Sequence, residues 1–168
     1  MEIMPTNRIL TTRNMDEIKK LTMEEVYVSP FTARRSYDEE GRVHWIPLER
    51  RTAPTGQRHV DFIIGSLAAG HSDYDWMAER LGCTREDLWG AVHLLFGMEA
   101  REFRRAYMFR LADDLLRYTS MKVDEVARRV GAGSAANLCQ LYRDNLRTTP
   151  DRRRRALRQA RDEDRFRV

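Results

Sequence analysis

The chain has 168 residues, 33% charged and 42% hydrophobic, a balance that fits a globular domain with an extension and excludes a wholly disordered chain. No apolar run approaches the roughly 20 residues of a membrane-spanning helix, and the opening MEIMPTNRIL lacks the basic and apolar regions of a secretory leader. The net charge of +4 is local: residues 147–168 carry 9 basic and 4 acidic side chains, against 9 and 9 in residues 1–56 and 12 and 13 in residues 57–146.

In chain order, residues 1–13 show no period and read as a loose arm. Asn14 is placed to cap a short helix, with Glu17 at the capping-box position. Met15, Ile18 and Leu21 would line its apolar face. Residues 31–37 and 42–48 flank the turn Asp38-Glu39-Glu40-Gly41, and alternation of Val43, Trp45 and Pro47 with His44, Ile46 and Leu48 predicts a β-hairpin. An isolated hairpin is marginal in water, so this one must pack on the main domain, a second copy or a partner. Residues 49–57 read as a linker.

From His59 the period becomes helical. Val60, Ile63, Ile64, Leu67 and Ala68 form a stripe that stops at Gly70. Asp73 opens a second helix, with Trp76, Met77 and Leu81 inward and Gly82 as its C-cap. Thr84 caps a third, with Asp87 three residues on and Leu88, Val92 and Leu95 inward. A long helix follows over about 100–117, carrying Phe103, Tyr107, Leu111 and Leu115. Val123, Val126 and Val130 belong to a short helix ending at Gly131. Ser134 caps the next, with Leu138, Leu141 and Tyr142 inward. Thr149-Pro150 opens the last, proline being tolerated at the first helical position.

The helical part repeats itself. WMAERLG (Trp76–Gly82) matches EVARRVG (Glu125–Gly131) at an offset of 49. Each unit has a small residue, Ala78 or Ala127, four positions before its glycine. Each then has a cap, Thr84 or Ser134, and an apolar pair four apart, Leu88/Val92 or Leu138/Tyr142. The small residue allows close helix approach, the glycine makes the turn, and the pair anchors the second helix. That is the arrangement of a helix-turn-helix. Two units joined by one stiff helix would hold two recognition helices about 34 Å apart, the spacing of successive major grooves.

On these residues the chain resembles the AraC/XylS family of transcriptional regulators over about residues 58–158. ADDLLRYTSMKVDEVARRVG resembles the end of the family's linker helix and the start of its second motif. GAGSAANLCQLYRDNLRTTPDRRRR is similar to its C-terminal signature. The matching positions are Ala127, Gly131, Ser134, Leu138, Tyr142, Arg143, Thr149, Pro150 and Arg154, and in the first motif Ala78, Gly82, Thr84, Leu88, Gly97 and Phe103, with Ala112, Leu115 and Leu116 beyond. The chain departs from the pattern at Met108, Ala132, Gln140, Arg147 and Arg153. Base contacts must therefore be read from this chain's own residues. The resemblance implies a short form without the effector-binding barrel, carrying a different N-terminal piece. The expected fold class is mainly α: two helix-turn-helix subdomains on a long linker helix, with an N-terminal extension containing the hairpin. The expected division is residues 1–57 as extension, 58–160 as DNA-binding domain and 161–168 as a charged tail.

The expected DNA-binding side chains follow from the exposed faces. In the second unit they are Ser134, Ala135, Ala136, Asn137 and Gln140, with Arg143 for a phosphate. Asn and Gln can bond adenine with two contacts, and alanine can touch a thymine methyl. Asn137 has an alternative role in bonding locally to the Ser134 cap. In the first unit they are Arg85, Glu86 and Trp89, Trp89 also being a candidate for packing in the core or against the hairpin. Arg152, Arg153 and Arg154 stand at a helix N-terminus, where phosphate is favoured. The expected partners are double-stranded DNA and RNA polymerase, with residues 1–57 available to a second copy or a protein partner and no membrane. Cys83 and Cys139 read as reduced thiols, and His44, His59, His71 and His93 are scattered. No catalytic residue, metal or cofactor is expected, and the location is expected to be cytoplasmic. The competing function is a protein-interaction or oligomerisation module on a degenerate scaffold.

Overall fold

The computed structural model describes residues 19–50 and 54–168. The helix expected from Asn14 and the preceding arm lie outside the described residues. The elements run α1 (Met23–Val26), β1 (Ala33–Tyr37), β2 (Val43–Pro47), α2 (Arg58–Ala68), α3 (Tyr74–Leu81), α4 (Arg85–Phe96), α5 (Ala100–Tyr118), α6 (Val123–Arg129), α7 (Ala135–Leu146), α8 (Pro150–Leu157) and β3 (Phe166–Arg167). The mainly α architecture, with paired helix-turn-helix units on a long helix, is as the periodicity predicts.

Local chemistry accounts for the helix ends. Asp73, Thr84, Ser134 and Thr149 each accept a first-turn backbone N–H through the side chain, an arrangement worth about 1 kcal/mol apiece. Gly82 and Gly97 close α3 and α4 in the left-handed region. The predicted stripe of α2 is buried, as are Phe103, Tyr107, Leu111 and Leu115 along α5. Leu95, expected inward, is only half-buried, and Phe96 takes the core position instead.

Residues 20–48 of the N-terminal piece are part of this body. Thr22 caps α1 through a capping box with Glu25. Leu21 N–H donates to the Leu95 carbonyl at 2.7 Å and Lys20 Nζ to the Leu94 carbonyl at 2.9 Å, at the end of α4. Farther on, Tyr27 Oη donates to Asp114 Oδ2 at 2.8 Å, and Val26, Val28 and Phe31 enter the core. Residues 20–31 thus strap α4 to α5. The hairpin forms with Arg35 opposite Trp45 and Tyr37 opposite Val43. Phe166, in the segment expected as a charged tail, pairs with Arg34 and gives an antiparallel sheet of order β2-β1-β3. Phe166 stacks on Phe31 at 4.7 Å and meets Tyr118 edge-on at 5.1 Å. Asp162 is buried and accepts from Arg117 Nε at 2.8 Å.

The two halves of the helical body meet through glycine. A Cβ on Gly131 would lie 2.6 Å from the Gly70 carbonyl oxygen, and one on Gly70 would lie 2.6 Å from that of Arg129. Both residues have positive φ, +85° and +79° for Gly70 and Gly131. Ser72 Oγ donates to the Gly131 carbonyl at 3.2 Å, and Arg104 Nη1 to the Ser72 carbonyl at 3.0 Å. The turn after α2 and the turn after α6 are therefore joined backbone to backbone, with α5 fastened over the joint. Gly131→Ala is expected to cost at least about 2 kcal/mol of unfolding free energy, from left-handed strain plus displacement of the facing turn. Gly82→Ala, with φ +66° and open space around the added carbon, should cost about 1 kcal/mol. Urea denaturation of both variants measures the difference.

Candidate nucleic-acid interface

The second helix of each unit, α4 or α7, is anchored on one side and open on the other. Leu88 and Val92 bury α4, and Leu138 and Tyr142 bury α7. On α4 the open face holds Arg85, Glu86, Gly90 and His93, with Trp89 half-buried. The Arg85 guanidinium lies 4.8 Å from the Trp89 ring centroid, and its Nη1 is 3.3 Å from Asp75. An exposed pair of this kind contributes little and exchanges readily. Trp89 packs on the edge of the core beside Arg85. Its indole N–H is buried and has no protein acceptor among the described residues. Asp87 serves the cap: its carboxylate accepts from Thr84 N–H and Oγ1 at 2.8 and 2.7 Å, and these bonds hold it below the usual carboxylate range.

On α7, Ala136, Asn137, Gln140 and Arg143 are exposed, and Ala135 is half-buried. Ser134 Oγ accepts from Asn137 N–H at 3.2 Å, and Asn137 Nδ2 donates to the Ala132 carbonyl at 3.1 Å. Asn137 thus makes the local bonds that the sequence leaves as an alternative. Gln140 Nε2 donates to Asp144 Oδ1 at 2.7 Å, and Arg143 Nη2 to Gln140 Oε1 at 3.0 Å. This surface chain orients the Gln140 amide along the open face. Arg147 ends α7 in the left-handed region, φ +52°, where a non-glycine residue is strained by roughly 1 kcal/mol.

The arginine run of α8 is divided by the helix. Arg152 and Arg155, three positions apart, are exposed. Arg153 grips Asp113 on α5 with Nη2 at 2.6 Å and Nε at 3.1 Å, and Tyr142 Oη donates to the same carboxylate at 2.9 Å. Burial, then the facing Asp113, raises the Tyr142 hydroxyl well above its ordinary value and keeps it neutral. Arg154 donates to the Met121 carbonyl. Of the three arginines of α8 expected to take phosphate, Arg153 and Arg154 are therefore engaged inside the fold.

The sequence reading missed Arg101. It lines a cleft of about 520 Å³ between α5 and α7, together with Arg105, Met108, Asn137, Gln140 and Asp144. It also lines one of about 270 Å³ beside α4, with Asp73, Arg85 and Trp89. Arg104 borders both clefts as well. Arg101 and Arg104 therefore form a basic step shared by the cleft beside α4 and the cleft beside α7. The spacing Arg101, Arg104, Arg105 is one helical face and was legible as such.

Residues 77–156 match the family described as helix-turn-helix domain. No curated relative matches the chain in sequence. Among solved structures, the chain is similar to the C-terminal domain of AraT, a response regulator from Geobacillus stearothermophilus, at 19% identity and a TM-score of 0.55, over 66% of this chain and 92% of that one. It is also similar to the C-terminal domain of the two-component response regulator yesN from Fusobacterium nucleatum, at 20% identity and a TM-score of 0.51, over 58% and 94% of the two chains. At these identities the likeness shows the fold.

The division of the arginine run has a measurable consequence. Arg153→Ala should lower the unfolding free energy by roughly 1–3 kcal/mol, because Asp113 loses its charged partner. Arg152→Ala should stay within about 0.5 kcal/mol of the parent. Parallel urea titrations followed by circular dichroism distinguish the two.

Proposed function

We propose that the protein is a transcriptional regulator of the AraC type that binds double-stranded DNA by sequence, with α4 and α7 in adjacent major grooves; the match of residues 77–156 to a helix-turn-helix domain supports this reading. The observation that carries this reading is that Arg101 and Arg104 of α5 line both the cleft beside α4 and the cleft beside α7, which supports an opening of both helices on one side. A protein that follows one face of a duplex needs this arrangement, because successive major grooves return to the same face after one turn.

The side chains divide into two roles. Gln140 and Ala136 are the base readers of α7, Gln140 suited to adenine and Ala136 to a thymine methyl. Asn137, Ser134 and Ala135 shape the start of that helix. Asn137 can exchange its Ala132 bond for a base edge. On α4, Arg85 and Trp89 face the groove, and Glu86 has the chemistry to accept from cytosine N4. Arg101, Arg105, Arg143, Arg147, Arg152 and Arg155 meet phosphates and fix the register. Arg153 and Arg154 act only through the fold. The domain itself is residues 58–160, and the described strap, hairpin and C-terminal strand pack on it. The regulator acts in the cytoplasm, at a promoter, by touching RNA polymerase or by occupying its site. The described thiols Cys83 and Cys139 are both unpaired, in keeping with that compartment.

Selection from random duplexes should return one preferred sequence, and band-shift titration should show its affinity falling steeply with salt. Arg152→Ala should reduce the slope of log affinity against log salt by about one while leaving the preferred sequence unchanged. Gln140→Ala should relax discrimination at one base pair by roughly 1–3 kcal/mol. Equal affinity for all duplexes would contradict sequence reading.

A further inference from the structure

Among the described residues, none pairs with the outer edge of the sheet, along β2. Leu48 N–H donates to the Thr32 carbonyl at 2.9 Å, and Asp38 N–H to the Arg42 carbonyl at 3.1 Å. With the β1–β2 register, these bonds fix the alternation of the antiparallel ladder. Arg42, His44, Ile46 and Leu48 turn their backbone groups toward β1. Val43 and Trp45 turn theirs outward, away from the rest of the sheet. Edges of this kind are normally guarded by charge or by proline, and on this one the proline, Pro47, stands only at the end of β2. Here Val43-His44-Trp45-Ile46-Pro47 contains no Asp, Glu, Lys or Arg.

The side chains repeat the message. Tyr37, Val43 and Ile46 are 57%, 52% and 37% exposed, three of the four large apolar side chains most open to solvent among the described residues. Tyr37, Val43, Trp45 and Pro47 share one face of the pleat, by their register. The opposite face is held to the body through Phe166, on Phe31 and Tyr118. The Arg167 guanidinium covers one side of Trp45, 4.1 Å from the ring centroid, and leaves the strand edge clear.

We propose that two copies of this chain pair antiparallel through β2 across a two-fold axis at His44, making a continuous six-stranded sheet and a dimeric regulator. The alignment is self-complementary. Val43 of each copy exchanges both backbone bonds with Trp45 of the other, giving four N–H···O bonds. Pro47, which has no N–H, ends the ladder on both sides. Val43 and Trp45 of the two copies lie side by side on the outer face, where cross-strand aromatic and β-branched pairs stabilise sheets. A second copy is the occupant that this strand fits, because one uncharged segment supplies donors, acceptors and apolar side chains in matching order. The dimer does not depend on the DNA-binding reading. Where both hold, the DNA target is an inverted repeat.

Sedimentation equilibrium of the full chain over a wide concentration range tests this. The expected mass rises toward twice the 19.8 kDa of one chain. Val43→Lys, which replaces the apolar side chain set beside the partner copy's Trp45, should raise the dimer dissociation constant at least about tenfold, and its melting temperature should equal that of the parent at dilutions where both are monomers. Glu39→Lys, in the turn, should leave association intact. His44→Cys, with Cys83→Ser and Cys139→Ser, gives an independent test. The two His44 positions would form a non-hydrogen-bonded pair with Cα atoms about 4.5 Å apart, inside the disulfide range, so oxidation should yield a covalent dimer, whereas Glu39→Cys in the same background should not. A monomer at every concentration with no cross-link overturns the proposal. So does weakened DNA binding in Val43→Lys with the monomer mass retained, which would make the sheet a DNA contact.

Discussion

Backbone touches backbone at the centre of this protein, and the rest of its geometry depends on that contact. Gly70 and Gly131 follow two different helices, yet the Gly70 backbone leaves no room for a side chain on Gly131, and the Arg129 backbone, two residues before Gly131, leaves none on Gly70. A joint made of side chains could slide by a rotamer. A joint made of two left-handed turns, cross-bonded by Ser72 and Arg104, has one fitted arrangement. Each unit owes its own shape to Ala78 or Ala127 and to its anchoring pair. The relation between the units is set by the two glycines and by α5 lying across them.

The adjacent carboxylates Asp113 and Asp114 extend this control in two directions. Asp113 collects Tyr142 and Arg153, so the base of the second reading helix and the last helix share one anchor on α5. Asp114 collects Tyr27 and Arg110 and ties the N-terminal strap to the same helix. Its burial raises the carboxyl above its ordinary value, against the pull of Arg110 and Tyr27. The strap continues to the end of α4 through Lys20 and Leu21. A helix with little preference for one buried side thereby becomes the spine for both units and for the extension.

Much of this was legible in the sequence because it is local. Caps at Asp73, Thr84, Ser134 and Thr149, glycine stops, and stripes of 3.6 and 2.0 period depend on residues within a turn or two of one another. The hairpin was legible for the same reason. What was hidden depends on distant partners. Phe166 reads as part of a charged tail until Arg34 and Phe31 are beside it. The Arg152–Arg155 run reads as uniform charge until α8 docks on α5 and turns Arg153 and Arg154 inward. The roles of Gly70 and Gly131 as turn residues were visible, but their mutual contact was not. In the candidate interface, the open faces of α4 and α7 were foreseen. The step formed by Arg101 depended on how two clefts meet.

The claim that most needs direct measurement is that the two units read DNA at one fixed separation. Once a preferred duplex has been selected, affinity can be measured for versions with 5 and with 10 extra base pairs between its two halves. Five base pairs rotate one half to the opposite face of the duplex, and ten restore the face at a separation the fold cannot span. The account predicts that both insertions reduce affinity to the level of unrelated DNA. Retained affinity in either spacer would show that the units move independently and would contradict the fixed joint.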